Sequence, residues 1–416
     1  MLDIQFIRDN RDLVEESATQ KGVKVNIKQL LELDEQRREL QTRADELRRR
    51  RNQHAAELKQ GKPTDDQIVA GRKIKAELIE LEGELNPLED RYNELLQTVP
   101  NIIPDDTPEG GEESNKPVKH WGDTKKDFDV IDHQTWGEGN GMIDFERGAK
   151  VAGNKFYYLK GSLVELELAV FQFAFQLASK HGFTPITVPH MVNTRTAAGT
   201  GYLPKGEERQ IYKIEGEDLN LIATAEIPIT GYHADEIFEQ KDLPILYVGL
   251  SPAYRTEAGA YGKHSRGLYR VHQFNKLELY VFCEPKDSEK WHNKLIELEE
   301  ELCQALEIPY QLVRTAAGDL GGPAYKKFDI EYWSPVDKGY RELMSCSNVT
   351  DYQARRLNIR YRDEVDSKIK LVHTLNGTAA AYSRVAIALI ENKQQADGTV
   401  KVPKALQPFM AGKEVL

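Results

Sequence analysis

Residues 27–60 and 66–97 constrain this chain most. In the first segment Leu30, Leu33, Arg37, Leu40, Ala44, Leu47, Arg51, His54 and Leu58 alternate spacings of three and four. The second repeats the pattern with Ile74, Leu78, Leu81, Leu85, Leu88, Tyr92 and Leu95. This is heptad spacing sustained over several turns, and neither stripe is stable until it is covered. GKPTDD at 61–66 supplies a turn and helix-starting residues. Two helices joined by so short a turn must run antiparallel. They form a coiled-coil hairpin about 50 Å long at ~1.5 Å per residue. Pro87 falls inside the second pattern, where a kink or a helix boundary is expected.

The two halves of the hairpin differ in charge. Residues 37–59 hold eight Arg or Lys against four acids, and residues 65–95 hold nine acids against four bases. Most of these charges can pair across the hairpin. The run Arg48, Arg49, Arg50, Arg51 cannot all do so, because successive helical residues turn by about 100°. Some must face outward, where a phosphate backbone suits them. The net charge of −11 argues against nucleic-acid binding on average, but the arm departs from that average.

A chain of 416 residues exceeds one ordinary core, so two domains are expected, 1–110 and 111–416. Segment 98–122, rich in Pro, Gly and acids, reads as the linker. Beyond it, apolar runs near 186–192, 219–223, 245–250, 268–282, 328–333 and 342–346 read as strands. Helices are expected near 163–181, 226–238, 286–306 and 377–392. Strand runs with separate helices point to an α+β fold with an antiparallel sheet. No phosphate-loop or dinucleotide fingerprint is present. No apolar run approaches 18 residues, so no membrane partner is expected. The N-terminal MLDIQFIRDNRDLVEES carries acids early and lacks the apolar centre of a signal peptide. Three cysteines without CxxC spacing (Cys283, Cys303 and Cys346) suit a reducing compartment rather than a structural zinc site.

Residues 250–278 carry the chemistry: LSPAYRTEAGAYGKHSRGLYRVHQFNKLE. Two apolar runs flank a loop with Gly259, Gly262, Gly267, Lys263, His264 and Arg266. Arg255 ends one strand and Arg270 opens the next, so the pair can grip a polyanion from two sides. Glu257, two residues after Arg255, is expected on the same strand face. Three further stretches accompany this one: Thr224-Ala225-Glu226, YRELMSCSNVTDYQAR at 340–355, and HTLNGTAAAYSR at 373–384.

Together with the helical arm, VPNI at 99–102 and GTGYLPK at 199–205, these stretches resemble seryl-tRNA synthetases of the bacterial type, a class II aminoacyl-tRNA synthetase family. The resemblance covers essentially the whole chain. It implies a class II catalytic domain with an antiparallel sheet, preceded by a coiled-coil helical arm. Motif one would be helix 163–181 and the strand after it, the family's dimer element. Motif two would span 253–282 and motif three 373–392.

The resemblance implies roles residue by residue. Thr224, Ala225, Glu226, Arg255, Glu278, Asn376 and Thr378 would bind serine. Arg255, Thr256, Glu257, Arg270, Val271, Phe274, Glu342, Leu343, Met344, Ser345 and Arg384 would line the ATP site, with Phe274 against the adenine and Arg384 on the γ-phosphate. Arg255, Arg270 and Arg384 would be the catalytic cations. Glu342 and Ser345 would hold magnesium. Arg48, Arg49, Arg50 and Arg51 would contact tRNA. The implied partners are serine, ATP, tRNA(Ser), the selenocysteine tRNA as a further acceptor, and a second copy of the chain; the implied location is the cytoplasm.

The residue types suit the reaction. A serine carboxylate attacking the α-phosphate of ATP needs no base, so positioning and charge neutralisation should dominate. Arginine can grip carboxylate or phosphate with two parallel bonds, and lysine cannot. Oxygen ligands suit magnesium. Two other readings remain open here: an amino acid:carrier-protein ligase, which would lack the long arm, and a non-catalytic RNA-binding paralogue, which would lack Arg255, Glu342 or Arg384. Cys346 is read as a packing residue and not a nucleophile. Tyr254, Thr256, Met344 and GGPAYKK (321–327) depart from the commonest family pattern without removing a charged contact.

Overall fold

The computed structural model describes residues 1–59, 64–202, 210–257 and 266–416. The chain divides into two compact units, Met1–Pro100 and Asn101–Leu416. This division lies upstream of the one read at 110, because Asn101 belongs to the second unit. Its side-chain amide donates to Pro323 O, Val349 O and Thr350 Oγ1, each at 3.0 Å.

The first unit opens with helices α1 (Ile4–Asp9) and α2 (Arg11–Gln20) and continues into α3 (Ile27–Leu58) and α4 (Asp65–Thr98). Asn26 caps α3 by accepting the Gln29 N–H at 2.9 Å. Thr64 and Gln67 form a reciprocal capping box on α4. Leu40, Ala44 and Leu47 of α3 pack against Leu78, Leu81 and Leu85 of α4, as the heptads require. Pro87 neither ends nor interrupts α4, which runs on to Thr98. The residue four positions earlier, whose carbonyl the ring crowds, is Gly83, and nothing lies within 4 Å of where its Cβ would be.

The second unit is built on an eight-stranded sheet. Its strands in chain order are β1 (Lys116–Trp121), β2 (Thr184–Thr187), β3 (Ile245–Tyr254), β4 (Gln273–Cys283), β5 (Tyr310–Arg314), β6 (Lys326–Ser334), β7 (Gly339–Thr350) and β8 (His373–Ala381). Their spatial order is β1-β5-β6-β7-β8-β4-β3-β2. Every pairing is antiparallel except β2 with β3, which is parallel. The helices are α5 (His133–Gly139), α6 (Phe145–Ala152), α7 (Ser162–Lys180), α8 (Thr194–Thr200), α9 (Glu226–Tyr232), α10 (Ser288–Ala305), α11 (Tyr352–Leu357) and α12 (Tyr382–Lys393).

β4 shows why the sheet separates two environments. Leu277, Leu279, Val281 and Cys283 join a large core with α7, α10 and α12. The alternate residues Tyr280 and Phe282 join a smaller core with α9 and α11. On that same face, Lys276 and Glu278 are buried but polar. The smaller core leaves one end of this face to polar side chains, and the site forms there.

Three expectations need correction. Segment 98–122 is not a free linker. Residues 116–121 form edge strand β1, paired with β5, while Ala317 N and Gly318 N donate to Pro108 O and Gly110 O. The segment near 377–392 is helical only from Tyr382. Residues 373–381 are β8, because ladders to β7 and β4 on both sides override the helix propensity of the alanine run. The helix near 226–238 ends at Tyr232. Helix α7 is long and apolar enough to cross a membrane by length and composition alone, although Glu165 and Glu167 interrupt its apolar run. Its Leu163, Leu166, Val170 and Phe171 are buried in the large core.

Candidate active site

The polar end of the sheet encloses a cavity of about 330 Å³. Glu226, Arg255, Glu278, Ser345 and Asn376 line it, and so do Tyr202, Lys276 and Lys327. The register explains the grouping. Glu278 on β4 lies opposite Thr378 on β8 and Gly249 on β3. A Cβ at Gly249 would come within 2.9 Å of Ile229, so glycine lets α9 lie close over the strand. Asn376 is opposite Tyr280 on one side and Ser347 on the other.

Glu278 is 1% exposed. Thr224 Oγ1 donates to its Oε2 at 3.0 Å, and Lys276 Nζ forms an ion pair with the same oxygen. Burial raises the pKa of this carboxyl, and Lys276 opposes the shift. Ala225 is buried and occupies the position before α9 without making a capping bond. Glu226 opens that helix and is held on both oxygens. Tyr202 OH donates to Oε2 at 2.9 Å and Gln353 Nε2 to Oε1 at 2.7 Å. Gln353 Oε1 in turn accepts from Tyr280 and Thr374. One end of the cavity is therefore a small, buried and acidic pocket whose walls are hydrogen-bonded to one another.

The other end is cationic. Arg255 follows the last residue of β3. Its main chain is fastened to His272, with Arg255 N–H donating to His272 O and His272 Nδ1–H to Arg255 O, each at 2.9 Å. Its guanidinium lies 5.2 Å from the centre of the Phe274 ring and acts electrostatically on both Tyr202 and Glu342. Thr256 N–H donates to Gln210 O at 3.0 Å. Glu257 is not on the Arg255 strand face. The strand has ended at Tyr254, and Glu257 turns with φ +48° to accept from Arg270 Nη1 at 3.2 Å. Arg270 likewise precedes β4 rather than opening it. Val271 is buried, leaving its main chain as the group within reach.

Arg384 lies in the first turn of α12, beyond the end of β8. It pairs with Glu342 Oε1 at 2.8 Å and lies 5.1 Å from the centre of the Tyr269 ring. Burial alone would raise the Glu342 pKa, but Arg384 and Lys327 outweigh it and hold the carboxyl well below its usual value. Ser345 follows on the same strand, opposite Asp329. Leu343 and Met344 lie in the large core, so only their main chain can serve a ligand.

Sequence reasoning missed several groups. Lys276 stood in the open: a lysine two residues before Glu278 in an apolar strand shares its face. Tyr202 and Gln353 belong to stretches already singled out, but only the tertiary structure brings them to Glu226. Lys327 gave no signal beyond its loop. Lys263, His264, Gly259 and Gly262 lie outside the described residues, as do positions 203–205 of GTGYLPK. On the arm, Arg49, Arg50 and Arg51 are exposed, while Arg48 is half-buried and pairs with Glu82 across the hairpin at 2.9 Å.

An antiparallel sheet bearing a small acidic pocket beside three separated arginines defines a class II aminoacyl-tRNA synthetase core. The family model described as tRNA synthetase class II core domain (G, H, P, S and T) matches residues 210–393, and the model for the seryl-tRNA synthetase N-terminal domain matches residues 1–103. The serine–tRNA ligase of Dictyoglomus turgidum is 44% identical over 100% of this chain and 99% of its own length. That of Thermococcus onnurineus is 43% identical over 100% and 97%. The seryl-tRNA synthetase of Pyrococcus horikoshii, solved in complex with ATP, superposes with a TM-score of 0.89 at 40% identity, covering 100% of this chain and 99% of that one. The chain belongs to the seryl-tRNA synthetase family.

Proposed function

We propose that this chain ligates serine to tRNA in two steps at the cavity that Glu226, Arg255 and Glu278 line, using ATP. In the first step a serine carboxylate oxygen bonds to the α-phosphorus as the bond to the bridging oxygen of pyrophosphate breaks. Arg255 is the single observation that carries this reading. It lines the cavity together with Glu226 and Glu278, and it lowers the pKa of Glu342, the partner of Arg384. It therefore neutralises the incoming carboxylate and the α-phosphate together. Arg270 and Arg384 take the outer phosphates, each already paired with a carboxylate that fixes its direction: Glu257 and Glu342. Glu226 takes the ammonium group and Glu278, held by Thr224, the hydroxyl. Alanine would leave the buried Glu278 short of a partner, which favours serine. Thr378 and Asn376 close the pocket from β8, and Phe274 supplies a face for the adenine.

Glu342 and Ser345 fit a magnesium ion. They offer oxygen donors only, and Arg384 keeps the Glu342 carboxyl ionised. Bound with ATP, the metal would neutralise charge on the phosphates. In the second step a terminal tRNA hydroxyl attacks the seryl carbonyl and AMP leaves. Arg49, Arg50 and Arg51 would hold the tRNA backbone, with tRNA(Ser) as the acceptor and the selenocysteine tRNA as a second one. The chain acts as a homodimer through the outer face of α7. It acts in the cytoplasm, which suits the free, buried Cys283, Cys303 and Cys346.

ATP–pyrophosphate exchange across the standard amino acids, with and without tRNA, tests the reading. Exchange with serine alone and without tRNA is expected, followed by transfer to tRNA. Transfer to a carrier protein instead would favour the other ligase, and absence of exchange would favour a non-catalytic RNA-binding protein.

A further inference from the structure

We infer that His133 is a positioning residue for the ATP grip. It ties the stem that carries Arg270 to the helix that carries Arg384. The inference rests on the reading that these two arginines hold the phosphates of ATP.

His133 opens helix α5 and is 4% exposed. Its Nε2 accepts the Leu268 backbone N–H at 3.2 Å. A main-chain N–H can only donate, so Nε2 must carry the lone pair and Nδ1 the proton. Nδ1–H donates to Glu391 Oε1 at 2.8 Å, and the His133 main-chain N–H reaches the same oxygen at 3.4 Å. Ser334 Oγ donates to the other oxygen of Glu391 at 2.9 Å, so the carboxylate is fixed from two sides. Glu391 lies two helical turns beyond Arg384 on α12. Leu268 lies two residues before Arg270.

Two neighbouring contacts run in the same direction. Asp132 accepts from Arg266 Nη2 at 2.7 Å, which fastens the residue before Gly267. Tyr269, between Leu268 and Arg270, lies against the Arg384 guanidinium. Gly267 has φ +56°, and a Cβ there would fall 2.2 Å from His133 Nε2. The stem can approach the imidazole only because this residue is glycine. The chain Glu391–His133–Leu268 thus sets the spacing of two arginines that belong to different motifs and share no direct bond.

The experiment is tRNA-independent ATP–pyrophosphate exchange in the full chain, with KM measured separately for ATP and for serine. Wild type must first show serine-dependent exchange; if it does not, the functional reading fails before this one is reached. His133→Asn can offer an N–H near the Nδ1 position but cannot reach Leu268. His133→Gln is long enough to present an oxygen there. The expected result for His133→Asn is an ATP KM raised on the order of tenfold, roughly one lost hydrogen bond to a buried group, with serine KM changed less than about twofold. His133→Gln is expected to recover most of the loss. Gly267→Ala, which pushes the stem off the imidazole from the other side, should reproduce the His133→Asn pattern and provides the test if the histidine variants fail to fold. Equal losses for ATP and serine, equal behaviour of Asn and Gln, or unchanged ATP KM in folded His133→Asn would each overturn the inference.

Discussion

Glu299 on α10 shows how a single residue can support the site from behind. It lies on the large-core side of the sheet, 1% exposed, with its carboxyl receiving the Thr378 N–H. Among the described residues its Oε1 has no hydrogen-bond partner, and a Cβ at Gly377 would stand 3.0 Å from it. Burial raises its pKa well above 4.5, and the nearby Glu278 and Asp329 add to the shift. The sign of the linkage follows. Below about pH 4.5 both folded and unfolded chains hold this proton, and the group costs no stability. Above it the unfolded chain ionises first, so the cost grows as pH rises towards the folded pKa. Glutamine does not titrate. Glu299→Gln should melt close to wild type near pH 4 and progressively above it as pH rises past about 5. A pH-independent difference in melting temperature would show that Glu299 is ionised in the folded protein. At this same scale the sequence singled out residues that the structure brings together, with Arg255 and Glu278 on one cavity and Arg384 paired with Glu342. It was silent for Glu299 and His133, whose partners lie 79 and 258 positions away.

At the scale of an element, the arm is specified by its own pattern. The stripe that predicts the hairpin is the stripe that packs: Leu40, Ala44 and Leu47 against Leu78, Leu81 and Leu85. Near the tip, a Cβ at Gly71 would meet the His54 ring at 3.1 Å, and His54 Nε2 bonds to Gln67 O at 2.7 Å. The four arginines then divide. Arg48 is engaged with Asp45 and Glu82, and the next three point to solvent. Replacing Arg49, Arg50 and Arg51 together by alanine should raise the KM for tRNA and flatten its salt dependence by about two units of log–log slope. Serine-dependent exchange should persist, and stability should shift by less than about 0.5 kcal/mol per site, since these side chains are exposed. Parallel loss of exchange and tRNA charging would remove the tRNA assignment. Elements specified by neighbours were harder to read. β8 looks helical because alanine favours helices, and β1 looks like part of a linker because it lies in a stretch rich in Pro, Gly and acids, with no alternating apolar face. Each is a strand because another strand lies beside it.

For the whole molecule, the outer face of α7 is an apolar feature that its own unit leaves uncovered. Leu168 is 60% exposed and Val164 37%, with Val151 and Tyr158 also exposed beside a cavity of about 450 Å³. Within that cavity wall Glu167 accepts from Asn275, the residue after Phe274, so the face is connected through one hydrogen bond to the strand that carries the proposed adenine contact. An apolar patch of this kind on a globular protein marks an interaction surface, and a second copy of the chain is the proposed occupant. Leu168→Asp should halve the mass measured by sedimentation and lower exchange activity. A dimer that survives this substitution would place the interface elsewhere. The sequence by itself determined the arm, the order of the motif stretches and the charged residues proposed to meet substrate. Periodicity is a local property, and gripping phosphate leaves few choices of side chain. Only the tertiary structure decided that Tyr202 and Gln353 hold Glu226, that Glu257 turns out of its strand to meet Arg270, and that His133 joins two motifs. Those contacts depend on the register of distant strands, and no spacing along the chain records it.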